Sequence, residues 1–284
     1  MISLPLRFIL ACLLLPCLWA TAQAQTVSLP DLGSTLPGRT DVTYLDLARM
    51  VIPDLAAEKH GTFKGGPPID MRHVQGPDAG GSPPETTSLS NATVLAVKAG
   101  GKDRLAMLFD LGDSPDSAEG YAVLALYDTA GKPTLLDAVN VALDRDTYFQ
   151  EPDRLSVGAN DDILMTASSH SNSEQNYMIT LLVMVVGDKF KLIDTIYTFD
   201  ERLCAYSHTQ DVAFRTVKDG RSHAAIKATV TDAIVPSDES CDEAAPKASS
   251  HKISVTYHWN KKSTRYVADS DAFEKLSVEN EKRF

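Results

Sequence analysis

From Ala92 onward apolar and polar positions alternate with a period of two, the spacing of strands whose successive side chains point to opposite faces. The segments that carry this alternation fall into three runs of four. The first run is 93–98, 104–111, 121–127 and 134–143, the second 155–158, 162–168, 177–186 and 190–199, and the third 212–217, 224–231, 252–259 and 264–268. Glycine-bearing turns punctuate them at 99–103, at Gly131 and at Gly187-Asp188, and the turn Lys218-Asp219-Gly220-Arg221 echoes the Lys98 to Arg104 connection. The segment Leu181 to Val186 is apolar at every position, which predicts a strand covered on both faces, as in an inner layer.

Upstream of Ala92 the pattern is different. Thr43 and Asp46 are spaced as a capping box, and Leu47, Val51 and Leu55 follow at four-residue steps, so a helix is expected up to about Ile52, with a kink or a second short turn starting at Pro53. The glycine- and proline-dense stretch from Gly61 to Ser90 holds one short strand candidate, 69–74, and reads as a surface-wrapping segment. The chain closes on a second helix from Asp269, with Asp271 and Glu274 as a capping box and Phe273 and Leu276 on the docking side.

Two stretches match closely. Tyr127 to Val139 reads YDTAGKPTLLDAV and Val183 to Ile196 reads VMVVGDKFKLIDTI, which places Asp137 and Asp194 at corresponding positions 57 residues apart. Recurrence at such a period marks a repeat architecture, in which a unit that cannot bury its own apolar face is stacked on its neighbours. The expected fold is therefore mainly β: three repeated four-stranded antiparallel meanders, β-propeller-like or stacked as a sandwich, with short N-terminal and C-terminal helices. Gly101 to Leu105 resembles the FG-GAP type of propeller repeat, but the clustered aspartate calcium loop of that repeat is missing, and nothing follows from the resemblance.

Residues 1–24 place Arg7 before an apolar run that ends in Ala22-Gln23-Ala24, the pattern of a secretory signal peptide. The organisation expected is a removed leader at 1–24, an N-terminal segment at 25–91 and a β domain at 92–284, in the periplasm or outside the cell. Removing the leader leaves Cys204 and Cys241 as the only cysteines, and in an oxidising compartment they are expected to pair. No later segment is long and apolar enough to span a bilayer. The formal charge of −11 disfavours nucleic acid and anionic lipid surfaces, and leaves a protein, a cationic peptide or a glycan as partner.

Candidate chemistry is sparse. The polar tract Ser168 to Tyr177 interrupts the apolar pattern and holds Ser169, His170 and Glu174, the residue types of a nucleophile, a base and its orienting carboxylate. His170, Asn172, Gln175 and Tyr177 are candidates for contact with a ligand or partner. Asp110, Asp113, Asp116 and Glu119 recur at three-residue steps and offer oxygen ligands for calcium. Tyr257, Trp259 and Tyr266 are near one another in sequence and form a candidate stacking face for sugar, or a packed core. There is no phosphate-binding glycine loop and no dinucleotide fingerprint, so no cofactor is expected. The reading that results is an exported, non-catalytic β-repeat module that binds a protein, peptide or glycan. The alternatives are a hydrolase built around His170 and a calcium-stabilised structural protein.

Overall fold

The period-two region folds into twelve antiparallel strands, each hydrogen-bonded to its sequence neighbours within its own sheet. The structure, a computed structural model, describes residues 27–242 and 244–282, so the expected leader at 1–24 lies outside the described residues. Three short strands come first, β1 (Ala56–Ala57), β2 (Phe63–Gly65) and β3 (Thr87–Leu89), and form a small sheet. A four-stranded meander follows, made of β4 (Thr93–Ala99), β5 (Lys102–Asp113), β6 (Gly120–Asp128) and β7 (Thr134–Asn140). The remaining strands are β8 (Asp146–Ser156), β9 (Asp162–Ser171), β10 (Gln175–Val186), β11 (Lys189–Arg202), β12 (Tyr206–Val217), β13 (Ala225–Pro236), β14 (Ser249–Asn260) and β15 (Arg265–Ala268).

These eight strands form one continuous sheet in chain order, so the second and third meanders are fused rather than separate. The junction is narrow. β11 and β12 pair only at Asp200–Thr209, Glu201–His208 and Arg202–Ser207, whereas β12 and β13 pair along their whole length. Beyond those three pairs the sheet parts, and the β8–β11 half packs face to face on the β12–β15 half.

Three apolar layers follow from this stacking. Leu47, Val51 and Leu55 of the N-terminal segment pack with Met107, Phe109 and Val123 on one face of the four-stranded sheet. Its other face supplies Leu95, Leu108 and Leu124, which meet Leu164, Leu181 and Val183. Ile163, Met165 and Leu182 point the opposite way, toward Ile226, Val255 and Tyr257. Strands β9 and β10 are thus buried on both faces, which is why the Leu181 to Val186 run lacks polar positions.

Polar clasps join the layers. Asp137 on β7 accepts from both Arg72 guanidinium nitrogens (3.2 and 3.0 Å), from Lys189 Nζ (3.1 Å) and from the Phe190 N–H at the start of β11 (2.8 Å). Asp194 on β11 accepts from the Tyr257 hydroxyl on β14 (2.6 Å). Each aspartate sits just past a register shift, opposite Leu126 and Leu182 respectively, so the matched sequence stretches are matched in backbone geometry too. Arg104, almost fully buried, bridges Asp128 (2.8 Å) and Asp188 (3.1 Å) at the turns of the first two layers.

The helices differ from expectation in detail. Helix α1 (Tyr44–Ala48) has the Thr43–Asp46 capping box, but it ends one turn before Ile52. Helix α2 (Ala272–Glu281) buries Phe273 and Leu276 as expected, yet Asp271 makes no capping hydrogen bond and pairs with Lys275 instead (2.7 Å). Residues 69–74 form no strand: Arg72, itself exposed, reaches over to the Phe190 carbonyl (2.9 Å), and His73 is drawn inward, where its ring meets the Ala142 carbonyl (3.0 Å). β8 begins nine residues earlier than the alternation predicts, because its pairing is interrupted between Phe149 and Arg154, around Pro152. The Cys204–Cys241 disulfide is present and ties the β11–β12 connection to the β13–β14 connection.

Candidate functional site

The expected polar loop is mostly strand. β9 runs on to Ser171 and β10 begins at Gln175, with His170 paired to Tyr177, Tyr177 to Phe199 and Ile179 to Tyr197. Directly paired residues share a face, so these five side chains form one surface. The His170 and Tyr177 rings stack with centroids 4.8 Å apart.

The connection between β7 and β8 brings the carboxylate partner of His170. Ser168 Oγ accepts from Leu143 N–H (3.1 Å) and meets Thr147 Oγ1 (2.9 Å), which pins this connection to β9. Asp144 then binds His170 Nδ1 through one oxygen and the Arg145 N–H through the other (2.8 Å). Gly120 allows the approach: a Cβ there would lie 2.4 Å from the Arg145 carbonyl oxygen. With Nδ1 donating to the carboxylate, the neutral ring presents Nε2 as an acceptor.

Helix α2 completes the site. His170, Tyr177, Phe199 and Asp144 line a cleft of about 230 Å³ with Ser277, Asn280 and Glu281 of the helix. A second cleft, of about 520 Å³, continues from it past the shared residues Tyr197 and Ser277, and is lined by Asp194, Asp269, Asp271, Phe273 and Glu274. Together they make a groove along α2. Its base is fixed by a buried network: Asn280 Nδ2 donates to Gln210 Oε1 (2.9 Å), Gln210 Nε2 to Asp232 Oδ2 (2.8 Å), and His208 Nε2 meets Asp232 Oδ1 (3.0 Å).

The residues singled out from sequence separate accordingly. Ser169 is one position from His170 on the same strand, so its side chain points to the opposite face, and Glu174 sits in the hairpin tip; neither lines the cleft. Asn172 Oδ1 closes that tip by accepting from the Glu174 and Gln175 N–H groups (3.0 and 2.8 Å). Gln175 bridges the Tyr177 hydroxyl (2.6 Å) and Glu201 (2.9 Å). Of the four contact candidates, His170 and Tyr177 line the groove.

The acidic candidates for calcium are dispersed, and no group of three or more metal-ligating side chains occurs among the described residues. Asp116 is taken up by Ser82 and Ser114, whose hydrogen bonds lower its pKa to about 2. Burial raises the carboxyl of Asp110, and burial together with the Asp144 charge raises that of Glu119. Asp162 is buried, accepts from the Lys98 N–H (2.8 Å) and pairs with Arg154 (3.5 Å). Tyr257, Trp259 and Tyr266 pack in the core rather than forming one exposed stacking face.

Sequence reasoning missed Asp144, Tyr197 and the acidic face of α2. The spacing of Asp271, Glu274 and Glu281 on one predicted helix was the signal available for the last of these. No family model matches the chain, and no curated protein or solved structure matches it either.

Proposed function

We propose that the protein is an exported, non-catalytic β module that holds a lysine- or arginine-bearing peptide segment of a partner in the groove along α2. The supporting observation is the lining of that groove: Asp144, Asp194, Asp269, Asp271, Glu274 and Glu281 face it, with no lysine or arginine. Tyr197, 38% exposed, adds an aromatic ring, whose face attracts cations through its quadrupole. The groove's dimensions suit a few side chains of a peptide, and the charge of −11 steers a cation toward it. Export is supported by the signal-peptide pattern and the disulfide, and no helix among the described residues is long and apolar enough to cross a membrane.

Fluorescence anisotropy with a labelled peptide array tests this reading. Basic peptides should bind, more weakly as salt rises, and the double variant D271N/E274Q should weaken them about tenfold. Equal binding of acidic peptides, or indifference to the double variant, refutes it. Binding of neutral glycans alone would move the assignment to that class.

A hydrolytic reading has one observation in its favour: the Asp144–His170 pair lies in the same cleft as Ser277. Labelling of Ser277 by a fluorophosphonate, abolished by His170→Ala, would carry that reading, and absence of labelling would remove it.

A further inference from the structure

A cleft of about 480 Å³ opens between the β10–β11 hairpin and the β14–β15 hairpin, apart from the groove along α2. Val74, Met184, Val186, Leu192, Ile193 and Tyr266 give it an apolar wall. Lys191 and Arg265 stand in the same lining, both exposed. Neither makes an ion pair or a side-chain hydrogen bond among the described residues. What sets these two apart is their place: both stand at the rim of one apolar cleft.

Apolar wall and unpaired cations together select the ligand class. The wall is solvated at a cost that an alkyl chain relieves, and the two cations offer charge-assisted hydrogen bonds to one acidic head group. A nucleic acid would meet the chain's acidic field over the rest of its length, whereas a single-headed anion meets only its local cations. From this juxtaposition we propose that the cleft binds an anionic amphiphile, an alkyl carboxylate of the fatty-acid type, with its chain on Met184, Val186, Leu192 and Ile193 and its carboxylate between Lys191 and Arg265. The volume falls within the range of small-molecule sites.

The test is a calorimetric titration of the full mature chain with octanoate, decanoate and dodecanoate, each below its micelle concentration. Affinity should rise about two- to fourfold per added methylene, as chain burial requires. The double variant K191Q/R265Q alters two exposed side chains and should keep the native Tm, while weakening dodecanoate tenfold or more. Dodecyltrimethylammonium should not compete. The Met184 methyl resonance should shift on adding dodecanoate, which locates the ligand. Absent heat, equal affinity across the series, equal binding of the alkylammonium, indifference to the double variant, or an unmoved Met184 signal each overturns the proposal.

Discussion

Replacement of Asp137 by alanine should destabilise the fold by about 2–4 kcal/mol, and replacement by asparagine by about half as much. The carboxylate is 5% exposed and receives four hydrogen bonds, two from Arg72, one from Lys189 and one from the Phe190 N–H. Arg72 and Lys189 are 40% and 55% exposed, so water takes over their charges and the loss of each pair costs only about 1 kcal/mol or less. Phe190 is buried, and its amide without an acceptor costs about 1–3 kcal/mol. Asparagine retains an oxygen for that amide, hence its smaller effect.

Urea unfolding of the two variants measures this ordering, with a drop in Tm of about 2–4 °C for each kcal/mol in a domain of this size. Acid titration adds a second readout. Burial opposes the Asp137 charge, but Arg72, the Phe190 N–H and Lys189 outweigh it and hold the carboxyl below its usual range. A carboxyl depressed in the native state contributes stability that is fully present above the unfolded pKa, about 3.9, and is lost as pH falls through the native value. The unaltered protein should therefore lose stability more steeply below about pH 4 than Asp137→Asn does. The reasoning is refuted if alanine costs less than about 0.5 kcal/mol, if asparagine costs as much as alanine, or if the two acid limbs run parallel.

Three further outcomes are expected. Replacing Cys204 and Cys241 by serine opens a loop with a separation of 37 residues and should cost about 4 kcal/mol by chain entropy, read from denaturant midpoints with matched slopes. Tyr257→Phe removes the hydroxyl donated to Asp194 from a ring that is 1% exposed, and should cost about 1–2 kcal/mol with no change in pH profile between 5 and 9, since burial and the Asp194 charge push that hydroxyl far above this range. Gly120→Ala drives a Cβ into the Arg145 carbonyl; a loss of about 1–3 kcal/mol and an altered His170 imidazole NMR signal are expected, and an unchanged His170 signal would show that the β7–β8 connection does not position the ring.

The strand content was legible because burial on alternate faces writes itself into the order of residues. All twelve strands of the stacked sheets overlap segments read from period two, and the capping box at Thr43 marked α1 within one residue of its start. The sequence was less informative wherever a distant partner decided the outcome. The 69–74 segment alternates acceptably, but the buried Asp137 carboxylate recruits Arg72 and the Ala142 carbonyl holds His73, so it wraps instead of pairing. Fusion of the second and third meanders depends on three pairs at the β11–β12 corner, which local pattern does not encode. The site follows the same rule. His170 and Tyr177 stood out as polar residues between apolar strands, whereas Asp144 arrives from 26 residues away through hydroxyl contacts of Ser168, and Ser277 through the docking of α2.

The narrow β11–β12 corner gives the molecule an uneven response to mechanical load. Tension that pulls the last four strands from the rest meets three backbone rungs at that corner, while within the final meander β12 and β13 share twelve. Rungs loaded one after another fail in sequence, so the corner would act as a zipper that opens first. Cys204 lies in the connection immediately beside it and is bonded to Cys241. Reduction of that one covalent strap would leave the corner's three rungs, the Tyr257–Asp194 and His223–Asp161 contacts and the packing around Ile196, Tyr257 and Phe273 to hold the last layer in place.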